Sequence, residues 1–186
     1  MRKLETKQVI EKKQKKNQII LGTILIFLLV VSTAGYSIMN SQSQKNSFVE
    51  ENGIRFYSSN GLWIIELGEV QFTFQNLPSE ISDIQVEINS TLADYYDSAI
   101  YLQGVPRGAS EILANINNFI LRSQEACTNK ESCSGDLPVK TCDDNVFIFI
   151  ENSNETKVGQ DKNCIYIYGD SIRGADAFLY KILGIT

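Results

Sequence analysis

From Asn17 to Gln44 the chain carries no charged residue, and from Ile19 to Met39 it reads IILGTILIFLLVVSTAGYSIM. No other stretch restricts the fold so severely. Twenty-one uncharged residues in a helix rise about 31 Å, close to the ~30 Å hydrocarbon core of a bilayer. A buried helix of a globular domain seldom runs so far without a polar stripe. The run therefore predicts a transmembrane helix over 19–39. It reaches spanning length, longer than a signal-peptide core of roughly 7–15 residues, which favours a retained anchor. Ser32-Thr33-Ala34-Gly35 offers the small-residue pattern of a cleavage site, the competing expectation.

Flanking charge sets the orientation. Residues 1–18 hold Arg2, Lys3, Lys7, Lys12, Lys13, Lys15 and Lys16 against Glu5 and Glu11, whereas Asn40 to Gly53 has only Lys45 as a cation. Positive charge stays on the cytoplasmic side. The basic tail (1–18) is thus expected inside, and everything after residue 40 outside, at a cell membrane crossed once. The lipid bilayer is the first expected partner, with other membrane or cell-surface proteins the second. Residues 40–186 hold 10 of the 17 basic and 20 of the 22 acidic residues, a net charge near −10. Such a domain repels nucleic acid. The chain has no histidine, which removes Ser-His-Asp and Cys-His catalysis, His-ligated zinc and imidazole pH switches.

Cys127, Cys133, Cys142 and Cys164 all follow the span. An even count in an oxidising compartment predicts two disulfides. Spacings of x5, x8 and x21 lack the CxxC knuckles of a thiolate metal site or a redox pair. Four cysteines allow three connectivities. Val146–Ile150 (VFIFI) and Cys164–Tyr168 (CIYIY) read as strands about a turn at Glu151–Thr156. An antiparallel hairpin with its tip near Ser153-Asn154 would place Cys142 opposite Cys164. Cys127 and Cys133 are then left to close a short loop.

The rest of the outer region reads as a tether over 40–52 and an α+β domain over 53–186. Ile54–Ser58 and Leu62–Leu67 flank Asn60-Gly61, a strong hairpin signal, and Val70–Gln75 alternates as a third strand. Ile84–Ile88 suggests a further strand, and Ala99–Gln103 a buried one. A helix is expected after Pro106, capped by Ser110 and ending near Glu125. A last helix is expected over 174–183, with Gly184 as its stop. The expected architecture is an N-terminal transmembrane helix followed by a small antiparallel sheet with two helices packed on one face.

No residue pattern marks a catalytic, metal or cofactor site, and no cofactor is expected. Gly104–Ser110 joins a strand to a helix, so Arg107 and Gly108 form a weak anion-site candidate beside the plainer reading of a Gly/Pro connection. Asp143-Asp144 and Asp94/Asp97 are paired carboxylates that read more simply as caps and solvated turns. Trp63, Phe72, Phe74 and Tyr95-Tyr96 suit a core as well as a recognition surface. Asn89-Ser90-Thr91 and Asn154-Glu155-Thr156 match the N-glycosylation sequon, making Asn89 and Asn154 acceptor candidates.

Leu77-Pro78-Ser79-Glu80, the Cys127–Cys164 block and the terminal run Ala177–Ile185 resemble small uncharacterised archaeal single-pass membrane proteins with a cysteine-bearing extracytoplasmic domain. The resemblance implies architecture and carries over no catalytic residue. The expected function is that of a non-enzymatic, membrane-tethered domain acting in interaction or assembly at the cell surface. The alternatives are a membrane-anchored, carboxylate-dependent hydrolase acting on glycans and, more weakly, a divalent-cation binder.

Overall fold

The computed structural model describes residues 20, 22–24, 28, 48–133 and 135–185. Residues 20, 22–24 and 28 are helical. Most of the expected span over 19–39 lies outside the described residues, as does the basic tail. Among the described residues no helix is long and apolar enough to cross a membrane. The chain divides into two units, Met1–Lys45 and Asn46–Thr186, and the second is the folded domain.

That domain opens on four antiparallel strands in sequential order: β1 (Phe48–Glu51), β2 (Ile54–Ser59), β3 (Leu62–Leu67) and β4 (Val70–Phe74). Two of the three turns are Asn-Gly pairs. Asn52 and Gly53 lie at φ 52° and 76°, Asn60 and Gly61 at 52° and 80°. Both central residues are thus left-handed, the geometry that matches the twist of tight hairpins. The first of these turns makes Phe48–Glu51 a strand, correcting the reading of 40–52 as tether throughout. Phe56, Ile65, Phe72 and Phe74 point inward and are buried.

A second, six-stranded sheet follows: β5 (Gln85–Glu87), β6 (Ala99–Gln103), β7 (Arg122–Glu125), β8 (Asn145–Ile150), β9 (Lys157–Asp161) and β10 (Cys164–Tyr168), in the order β5-β9-β10-β8-β6-β7. Only β9 and β10 pair antiparallel; the other neighbours are parallel. The single small antiparallel sheet expected from sequence is therefore two sheets, the larger one mixed. VFIFI and CIYIY are not a hairpin either. They run parallel, with Cys164 opposite Val146, and β9 pairs on the far side of β10. Unbroken apolar runs are the mark of central strands covered on both faces. Ile100, Leu102, Phe147, Ile165 and Ile167 face the main core, while Tyr101, Val146, Ile148 and Cys164 form a second cluster on the other face.

Helix α1 is Arg107–Ile116 and α2 is Ser171–Leu183. Pro106, not Ser110, occupies the N-cap position of α1. The helix stops at Ile116, and Arg122–Glu125 is a strand whose four side chains are all exposed. A polar edge strand carries no hydrophobic period, so its sequence extends a helical pattern as readily as it ends one. Helix α2 starts three residues earlier than the apolar face suggests, because the Asp170 carboxylate accepts from Ile172 N and Arg173 N. Gly184 is left-handed at φ 72° and closes it.

The helices contact both sheets, so they are not confined to one sheet face. Phe178 of α2 packs edge-on against Phe147 at 5.1 Å, while Tyr180 stacks on Phe74 at 4.3 Å. One continuous core results. Between helices, Gly108 is obligatory, because a Cβ there would lie 2.0 Å from the Ser171 carbonyl oxygen.

Polar side chains also join the helices to β4, an edge strand of the first sheet. Asn115 of α1 accepts from Thr73 N at 2.7 Å and donates to Thr73 O at 2.8 Å. Two residues on, Asp176 of α2 accepts from Gln75 N at 3.1 Å. Alternate residues of an edge strand expose their backbone groups, and here side chains take the place of a fifth strand. Asn115→Ala should lower unfolding stability by about 2–4 kcal/mol, since it orphans a donor and an acceptor. Urea unfolding should show a lower midpoint at unchanged slope.

Candidate functional site

Both disulfides are closed, as the sequence predicts: Cys127–Cys133 and Cys142–Cys164, with Cα atoms 5.5 Å and 4.9 Å apart. The antiparallel register that led to the second pair is nevertheless wrong. Parallel neighbours bring their amino ends together, so Cys142, just before β8, meets Cys164, the first residue of β10. Asn163 N donates to Cys142 O and Val146 N to Asn163 O, both at 3.1 Å, which fixes the approach. Cys127 is held by Pro138 and Lys140, its N donating to one carbonyl and its O accepting from the other residue's N. The cysteine-bearing loop is thereby folded back on itself.

Side chains of that loop reach the sheet, Thr128 at Gln103 and Lys140 at Tyr101. The Lys140 ammonium lies 4.1 Å from the centre of the Tyr101 ring and 3.1 Å from Asp144. Arg122 donates to the Tyr101 hydroxyl at 3.3 Å. Lys140, then Arg122, holds the phenol below its ordinary pKa, and Tyr101 in turn raises that of Lys140. The phenol, between two cations, ties the loop to the sheet. Sequence reasoning missed it, because the three residues belong to a strand, an edge strand and a loop.

The Arg107–Gly108 candidate divides. Arg107 is exposed and lines a cleft of about 690 Å³ beyond the carboxyl ends of β6, β8 and β10 and the amino ends of α1 and α2. In parallel sheets this is the usual place for a ligand. Gly108 is buried against Ser171 and serves packing. Two carboxylates share the cleft with Arg107: Asp170, which caps α2, and Glu151, which accepts from Ser171 Oγ at 3.3 Å. They offset the arginine, so the cleft suits a polar group of mixed charge better than a simple anion.

The carboxylates singled out in the sequence are not brought together. Asp94 accepts from Thr91 N and Oγ1 and caps a 3₁₀ turn at Leu92–Tyr95. Asp97 sits in a left-handed turn. Asp143 pairs with Lys162 at 3.3 Å, and Asp144 with Lys140. Among the described residues no group of three or more His, Cys, Asp or Glu side chains could hold a metal ion. Phe72, Phe74 and Tyr95 are core residues, Trp63 packs at its margin and Tyr96 is exposed. Asn89 and Asn154 are both exposed in connecting segments.

Burial identifies two acids outside the candidate sites read from the sequence. Asp176 is fully buried, and Glu111 is 9% exposed. Desolvation, opposed by hydrogen bonds from Asn76 and reinforced by the charge of Glu111, raises Asp176 to about 7. An acid inside an apolar helix face was the only available signal.

No known family model, curated protein or solved structure matches the chain.

Peptide mapping without reduction should recover Cys127 joined to Cys133 and Cys142 to Cys164. Replacing the pair Cys142/Cys164 with alanine should cost about 3 kcal/mol. The Cys127/Cys133 pair closes a shorter loop and should cost about 2 kcal/mol, by loop-closure entropy. Thermal unfolding of the two double variants checks the order.

Proposed function

We propose that residues 46–186 form a non-enzymatic interaction domain, tethered by the 19–39 segment and displayed outside the cell membrane, with the cytoplasmic tail at residues 1–18. The observation that carries this reading is the fate of the polar side chains. The named carboxylates are spent on caps, turns and ion pairs, while two closed disulfides are those of a domain in an oxidising compartment. The distribution of charge around the apolar run and the resemblance to archaeal single-pass proteins support the tethered topology. A glycan hydrolase needs two converging carboxylates free in an accessible cleft; the two in the Arg107 cleft are engaged, Asp170 in capping α2 and Glu151 with Ser171.

The Arg107 cleft is the favoured contact surface. It is concave, open and bordered by Val105, which is 54% exposed. A photo-crosslinking residue at Val105 or Ser153, in the full chain in its native membrane, should give a discrete adduct with another surface protein. The same residue at Glu69, at the β3–β4 turn, should give none. Equal labelling at all three positions, or no adduct at any, would remove the cleft as a contact surface.

A further inference from the structure

The end of β4 is held by a carboxyl group with one oxygen fully used and the other unused. Asp176 Oδ2 accepts from Gln75 N at 3.1 Å, Asn76 N at 2.8 Å and Asn76 Nδ2 at 2.8 Å. Oδ1 is buried with no hydrogen-bond partner. From α1, Glu111 accepts from the Gln75 side chain at 2.8 Å. Gln75 therefore lies between two buried acids on two helices. Tyr180, one turn along α2, donates to Asn76 O at 2.6 Å, and Glu51 and Glu80 act on Tyr180 from the β1 and Pro78–Ile81 sides. The cation on this helix nearest in sequence, Arg173, is committed to Asp83 and the Glu80 carbonyl. Lys181, exposed, lies on the rim of the adjoining cleft.

This arrangement has a definite electrostatic preference. A neutral Asp176 keeps its proton on the unused Oδ1 and still accepts three N–H groups on Oδ2. An ionised Asp176 places negative charge on an oxygen with no donor, opposite Glu111. That oxygen needs a donor that no described protein group supplies, so ionisation favours parting of the seam between β4 and α2.

We propose that Asp176 is a protonation-controlled latch: neutral, it clamps Gln75-Asn76 to α2; ionised, it loosens that end of β4 and the apolar cleft beside it. The cleft, about 670 Å³, is lined by Pro78, Ile81, Ile84, Val86, Ala177 and Tyr180 among others. Its wall is continuous with the latch, because Ala177 follows Asp176 and Tyr180 holds Asn76. The linkage has one sign. Asp176 is raised from its ordinary 3.8 to about 7, so its contribution to stability is fully present below the lower value. It declines as pH rises, and is lost above the higher one. A domain outside the membrane meets the pH of its surroundings directly, so the latch couples that pH to exposure of an apolar surface.

Amide exchange of the full chain in detergent micelles tests this, with protection factors corrected for intrinsic pH dependence. In the wild type, protection at Gln75 and Asn76 should fall at least about tenfold between pH 5.5 and 8.5, while Ile167 in the mixed sheet stays protected. Asp176→Asn should flatten the response. Glu111→Gln, which removes the opposing charge, should move the midpoint to lower pH and keeps the test decisive if Asp176→Asn does not fold. The latch is overturned by wild-type protection that does not change, by a fall shared equally with Ile167, by an Asp176→Asn response like the wild type's, or by an unmoved Glu111→Gln midpoint.

Discussion

The free edge of β4 is the constraint on which the domain depends. A four-stranded antiparallel meander is local in sequence and forms from its own turns, but it has no covering layer of its own. Its last strand exposes backbone donors and acceptors at every second residue. Asn115 answers at Thr73 and Asp176 at Gln75. These two side chains come from different helices and fall in register with the strand. The aromatic contacts of Tyr180 with Phe56 and Phe74 then seal the same junction with apolar surface. Hydrogen bonds fix where the sheet docks, and burial of the aromatic rings supplies most of the energy.

The mixed sheet solves a different problem. One face is covered by the helices. The other carries a smaller cluster of Tyr101, Val146, Ile148 and Cys164, too small to order the long loop beside it by burial alone. Two disulfides and the Lys140–Tyr101 contact do this instead. Covalent closure substitutes for core volume, as is common in small disulfide-bonded domains.

Local chemistry was legible in the sequence, and long-range pairing was not. Asn60-Gly61 announces its hairpin because the turn depends only on the two residues that adopt it. Asn52-Gly53 carries the same signal but lies beside Glu50 and Glu51, whose charge obscures a four-residue strand. Cys142–Cys164 was paired correctly from a wrong topology, because both a hairpin and a parallel pair bring those positions close. What separates the two is the unbroken apolar character of VFIFI and CIYIY, which marks strands buried on both faces. The role of Asp176 was not legible for a simpler reason. Its partners, Gln75 and Asn76, lie 101 and 100 residues away, and an acid in a helix acquires meaning only from what covers it.

In the proposed topology everything after residue 40 lies outside the membrane. Intact cells treated with a membrane-impermeant amine reagent test this most directly. Lys130, Lys157 and Lys162, all exposed on the domain, should be modified, while Lys12, Lys13, Lys15 and Lys16 should react only after permeabilisation. Modification of the tail lysines in intact cells, with the domain lysines protected, would contradict the orientation and the compartment assigned to the disulfides.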